Sequence, residues 1–164
     1  GNLPVFYKAP LCLRLVTASI LAGCLLTAGV SRAATKDAPT VITLTQTPCQ
    51  FLEPEGQDHG YESTEKADCV RINEETGAGR LAKTTPMQLK PGKYIFRVTN
   101  SNVPYVLGFY LRGTGLGRLT LPAVSGGGLQ TGYARDYEIE LTKGDYVYSC
   151  PLNPTPDYPI TVRD

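Results

Sequence analysis

The sequence predicts an all-β fold, a Greek-key β-sandwich behind an N-terminal signal peptide helix, and three observations carry that reading. From residue 40 onward, short runs rich in β-branched and aromatic residues recur about every 8–12 residues between Gly/Pro turns. The spacing Leu-x-x-Gly-x-Tyr occurs twice, at Leu89–Tyr94 and Leu141–Tyr146. It is the pattern of a tyrosine corner, in which a Tyr hydroxyl bonds back to upstream backbone at a sheet-to-sheet crossing; two hairpin turns, each followed by a core Tyr, would read the same. Beyond the N-terminal segment, no stretch has the apolar periodicity of a helix of three or more turns.

The N-terminal segment has Lys8 and Arg14, an uncharged run from Leu15 to Val30, and then Ser31-Arg32-Ala33-Ala34. A basic start, an apolar run and a small-x-small end predict a secretory signal peptide cut after Ala33. The domain expectation is therefore a signal at 1–33 and a sandwich at 34–164, with a long acidic insertion at about 51–86. Two other readings are lipidation at Cys24, in Leu21-Ala22-Gly23-Cys24, and an uncleaved anchor. The run falls short of the ~20 residues a spanning helix needs, so membrane attachment is expected only through one of those two routes. A periplasmic or otherwise exported location follows. Without residues 1–33 the chain carries 13 basic and 15 acidic side chains. No basic stripe tracks phosphates, so nucleic acid is not an expected partner.

Taken in order, Thr40–Gln46 alternates apolar and polar residues as a half-buried strand does, and Pro48-Cys49-Gln50-Phe51 ends it. Glu53–Cys69 has six acids, one base and almost no large apolar side chain, which predicts a mobile insertion. Cys69–Ile72 reads as a short strand and Glu74–Thr85 as loop. Met87–Lys90, Tyr94–Asn100, Tyr105–Leu111, Leu119–Leu121, Tyr133–Leu141, Tyr146–Cys150 and Ile160–Arg163 read as strands. Gly126-Gly127-Gly128 reads as a flexible link.

The stretch Leu141 to Val162, a strand, Cys150, a short Leu/Asn/Pro loop and a last strand, resembles the copper loop of a cupredoxin. A blue-copper centre takes a thiolate, two imidazoles and a weak axial ligand. The positions for His and Met after the cysteine hold Asn153 and Asp157, and the chain has one His and one Met, His59 and Met87. With Pro48-Cys49-Gln50 and Leu89–Asn100, the same stretch is similar to the EfeO-type cupredoxin-like domain family of periplasmic iron-uptake proteins. That resemblance covers about residues 40–50 and 87–164. It implies that Cys49 and Cys150 meet at one end of the sandwich as a disulfide, leaving Cys69 as the odd thiol. As thiolates, the same pair would hold a soft metal, Cu(I) ahead of Cu(II) or iron, and a Cys49–Cys69 pairing would instead staple the insertion. The family's carboxylates after the Asn turn are replaced by Gly108 and Tyr110, and Tyr105 stands where a cupredoxin's first His would.

The metal-ligand candidates are thus Cys49, Cys150, Cys69 and His59, for a copper or iron ion. His59 lies among acids at 53–62, which in a flexible loop suit a divalent cation, although such a His is more often simply solvated. Tyr105 and Tyr110, with Tyr133 and Tyr158, are candidates for binding an envelope protein, while Tyr94, Tyr146 and Tyr148 are assigned to the core. Gly113-Thr-Gly115-Leu-Gly117 lacks the Lys and helix of a phosphate loop, and one His gives no Ser/His triad, so catalysis is not expected. Two functions follow: a periplasmic metal-handling accessory, or a metal-free interaction module with structural cysteines, such as an accessory subunit of an envelope complex.

Overall fold

The computed structural model describes residues 37–164, so the expected signal, its cleavage site and Cys24 lie outside the described residues. Among the described residues, nine strands form two sheets. β1 (Thr40–Thr47), β2 (Gln50–Phe51), β4 (Gly92–Asn100) and β7 (Ala134–Leu141) make the first, in the order β2-β1-β4-β7. β3 (Met87–Leu89), β5 (Leu107–Gly113), β6 (Val124–Leu129), β8 (Gly144–Ser149) and β9 (Tyr158–Val162) make the second, in the order β3-β9-β8-β5-β6. β1 runs parallel to β4 and β3 parallel to β9, and the other pairings are antiparallel. The chain crosses between sheets from β2 to β3, from β3 to β4, from β4 to β5, from β6 to β7 and from β7 to β8. This is the expected all-β Greek-key sandwich.

Period-two alternation decides which faces meet. In β4, Tyr94, Phe96, Val98 and Asn100 point inward, and in β7 so do Tyr137, Ile139 and Leu141. Phe109, Tyr148 and Phe51 form a chain of tilted and edge-on rings between the sheets, a geometry the aromatic quadrupole favours. Both tyrosine corners are present: Tyr94 Oη donates to Lys90 O at 2.7 Å and Tyr146 Oη to Thr142 O at 2.8 Å.

Residues 52–86 overturn the loop expectation. They form a short α1 (Leu52–Glu55), a pinned loop and α2 (Lys66–Leu81), a helix of 16 residues. The strand expected at Cys69–Ile72 lies within α2, as does the loop expected at Glu74–Thr85 as far as Leu81. The start of α2 is closed by a capping box: Glu65 is the N-cap, and the Asp68 carboxylate three residues on accepts from the N–H groups of Glu65 and Thr64. Only Cys69, Gly77 and Arg80 of α2 are buried, so the helix docks by three specific residues and shows no apolar stripe.

Two smaller corrections share a cause in glycine. Leu119–Leu121 is not a strand, because Gly117–Thr120 turns as a short α3. Gly126-Gly127-Gly128 is not a link but part of β6, paired to β5 across a bulge between Leu107 and Phe109. A Cβ on Gly108 would stand 2.7 Å from Gly126 O, so the bulge needs a bare backbone there.

Candidate functional site

The end of the sandwich under α2 is built around Cys49. Thr47 pairs with Gln50, leaving Pro48-Cys49 as a two-residue turn. Pro presets the first turn position and the second needs a positive φ. Cys49 supplies it, at φ 67°, a conformation that costs an L-residue roughly 1–2 kcal/mol. Three contacts hold it there. Its N–H donates to Asn153 Oδ1 at 2.7 Å, its carbonyl accepts from Arg80 Nη2 at 3.0 Å, and its sulfur is bonded to Cys69.

That bond corrects the expected pairing. The disulfide joins Cys49 to Cys69, and Cys150 is buried and, among the described residues, free. The reason is α2, which carries Cys69 to the pole that the sequence assigned to Cys49 and Cys150 alone.

Asn153 organises the pole from the position where the resemblance places an imidazole. It is fully buried. Its Nδ2 donates to Thr47 O at 3.0 Å and Gln46 Oε1 at 3.3 Å, and its N–H reaches Cys150 Sγ at 3.2 Å. Its Oδ1, besides accepting from Cys49, lies 3.1 Å from Cys69 Sγ. Burial pushes the Cys150 thiol above its ordinary range, against N–H groups of Gly108, Asn153 and Leu152 and the Gln46 side chain, which favour the thiolate. Tyr105 Oη bonds Ser63 Oγ at 2.7 Å and stands 3.9 Å from Cys69 Sγ. Buried Thr47 Oγ1 has no hydrogen-bond partner among the described residues.

A second cluster locks α1 to α2 and to β9. Glu55 accepts from Arg80 Nε and Nη2, from Tyr158 Oη at 2.5 Å, and from His59 Nε2 at 2.6 Å. The Glu55 and Arg80 side chains are 2% and 7% exposed. Burial alone would raise the Glu55 pKa, but the Arg80 bond, the Tyr158 hydroxyl, the Arg80 charge and His59 together hold it below the ordinary value. Arg80 Nη1 also bonds Asn73 Oδ1 and Thr76 Oγ1, and its guanidinium lies over the Tyr61 ring.

The four metal-ligand candidates therefore do different things. Cys49 and Cys69 are bonded to each other, Cys150 sits beside them against Asn153, and His59 serves Glu55 while stacking on Tyr61. Among the described residues, no three His, Cys, Asp or Glu side chains are arranged to hold a metal ion. Asp157 pairs with Arg112. Of the tyrosines, Tyr105 is turned inward onto Ser63 and Tyr158 is fully buried in the core. Tyr133 is exposed. Tyr110 lines a shallow, mainly apolar groove with Phe109, Gly126, Gly127, Pro151 and Leu152, beside the Cys150 loop.

Sequence reasoning missed Glu55, Arg80 and the bonding role of Asn153. A carboxylate among seven other acids in residues 51–86, and an arginine after Gly77 and Gly79, carry no mark of burial. Asn153 did carry one, an amide at a position the resemblance gives to a ligand.

No protein-family model matches the chain, and no curated protein matches it. Solved structures that resemble it include two amicyanin variants: a proline-to-glycine variant in its reduced Cu(I) form at pH 4 and an oxidised methionine-to-lysine variant. Each is 14% identical to this chain, with 80% of this chain and 90% of the amicyanin chain covered, at a TM-score of 0.42.

Proposed function

We propose that this chain is an exported cupredoxin-like interaction module, an accessory subunit of an envelope complex, whose cysteines serve structure in the oxidised protein. One observation carries the reading. The pole where a cupredoxin would hold an ion is filled by the protein itself, by Asn153, the Cys49–Cys69 disulfide and α2. What faces solvent next to it is an apolar groove of Tyr110, Pro151 and Leu152. Export rests on the sequence pattern of residues 1–33. A photo-crosslinking residue at position 152 in the exported protein should give one discrete adduct, and the same residue at exposed Glu138, on the other sheet, should give none. Equal labelling from both positions would refute the reading.

A second reading, the copper or iron accessory of the EfeO-type resemblance, is supported by the N–H groups gathered on Cys150 Sγ, which oppose the burial that raises the thiol in the resting protein. Such donors support a thiolate, and soft thiolates select Cu(I). It is tested by anaerobic Cu(I) titration of the oxidised and reduced protein against a chromophoric chelator. Retention of one equivalent only after reduction would support metal handling by the three cysteines, and no retention in either state would remove it. With Cu(II) the protein should stay colourless, because an intense thiolate band needs imidazole partners.

A further inference from the structure

The three cysteines of the sandwich domain meet on one residue. Asn153 Oδ1 is 3.1 Å from Cys69 Sγ, which is covalently bonded to Cys49 Sγ, and Asn153 N is 3.2 Å from Cys150 Sγ. A disulfide and a free thiol therefore share one buried pocket. Such a pair can exchange: a thiolate attacks one sulfur and the other leaves. Cys49 and Cys150 stand on the ends of β1 and β8, in the body of the sandwich, whereas Cys69 rides on α2, which has only three buried residues of its own. The partner best placed to leave is Cys69.

We propose that Cys49, Cys69 and Cys150 form a thiol–disulfide exchange site in which Cys150 is the resolving nucleophile. The Cys150 thiol gives its proton to water and the resulting thiolate attacks Cys49 Sγ. The Cys49–Cys69 bond breaks as the Cys49–Cys150 bond forms, and Cys69 leaves as a thiolate that takes a proton from water. No net oxidant or reductant is consumed. The exchanged form has its disulfide within the sandwich and carries a free thiol on α2, able to form a mixed disulfide with a partner that bears one. Burial keeps the resting thiol protonated, so exchange follows opening of α2 and is slow in the closed protein. The inference is independent of the interaction reading.

The test uses the oxidised protein under native conditions with a sub-stoichiometric dithiol, here dithiothreitol, followed by acid quench, alkylation and disulfide mapping. Wild-type protein should develop a Cys49–Cys150 peptide pair with matching alkylation of Cys69. Cys150→Ser should keep Cys49–Cys69 alone at every time point. Cys69→Ser, air-oxidised and shown to be folded by circular dichroism, should contain Cys49–Cys150. Wild-type protein that yields only Cys49–Cys69 would overturn the proposal. So would a folded Cys69→Ser protein with both remaining thiols free, which would show that the two sulfurs cannot reach each other.

Discussion

The sandwich body and the cap of residues 52–86 are stabilised in different ways. The body buries side chains from nearly every strand, Leu44, Phe96, Phe109, Tyr148 and Ile160 among them, and its strands pair along most of their length. The cap buries little apolar surface. One disulfide, one buried ion pair with its satellites, and a few hydrogen bonds to the pole hold it. Stability spread over many small contacts tolerates single losses, whereas stability concentrated in two tethers does not. Replacements in the cap should therefore be large in effect and local, and replacements in the body smaller and global.

The sharpest way to break this contrast is at Arg80. Arg80→Ala leaves the Glu55 carboxylate buried without its main counter-charge and frees the Cys49 carbonyl. Removing one partner of a buried pair costs about 3–5 kcal/mol. Replacing both with apolar or neutral groups is far milder, so Glu55→Gln/Arg80→Met should recover much of the loss in thermal unfolding. If Arg80→Ala and the double variant melt alike, the pair is not what holds the cap.

The disulfide comes next. Cys49 and Cys69 are 20 residues apart, and closing such a loop in the unfolded chain is worth on the order of 3 kcal/mol. With Cys150 also replaced by Ser, so that no other disulfide can form, Cys69→Ser should lower the melting temperature by that measure. Limited proteolysis of the same variant should cut first within 53–68, which lacks apolar anchors, before any site between 87 and 162. A first cut in β5 or β8 would show that cap and body unfold together.

The same contrast decides what the sequence made legible. The body was readable because its information is periodic: alternation in β1, β4 and β7, and the twin Leu-x-x-Gly-x-Tyr corners, which put Tyr94 and Tyr146 in the core with their hydroxyls on Lys90 and Thr142. The cap was unreadable for the opposite reason. α2 has two glycines and no apolar stripe, and what fixes it, Cys69 to Cys49 and Arg80 to Glu55, depends on residues distant in sequence. The pole was half legible. Cys49, Cys150 and Asn153 were placed there by resemblance, but the disulfide partner came from a helix that periodicity could not show. Tyr158, taken as a binding-surface candidate, is instead core: its ring lies against Phe51 and Tyr148.

Acid should loosen the cap before the body. The Glu55 carboxyl titrates below its ordinary value in the folded protein, so the unfolded chain binds that proton more readily. The stabilisation is complete above the unfolded value, about 4.3 for Glu, and is lost as pH falls through the lower folded value. Thermal unfolding followed from pH 7 to pH 3 should fall more steeply below about pH 4.3 in wild type than in Glu55→Gln/Arg80→Met. Parallel profiles would place the acid sensitivity elsewhere.

The smallest effect sharpens the comparison from the body's side. Tyr146 Oη donates to Thr142 O at 2.8 Å and receives the Thr142 N–H at 3.3 Å, while its ring is fully buried. Tyr146→Phe keeps the ring and removes only the hydroxyl, so the expected loss is that of one hydrogen bond, about 0.5–1.5 kcal/mol. Tyr94→Phe should cost a similar amount, because its hydroxyl makes the equivalent bond to Lys90 O. The two corners lie in different crossings with no shared partner, so their losses should add. Neither should change the rate of cleavage within 53–68, since neither touches the cap. A corner variant that speeds cleavage there as much as Cys69→Ser does would mean that the cap's stability is set by the body after all, and that the disulfide and the ion pair only report on it.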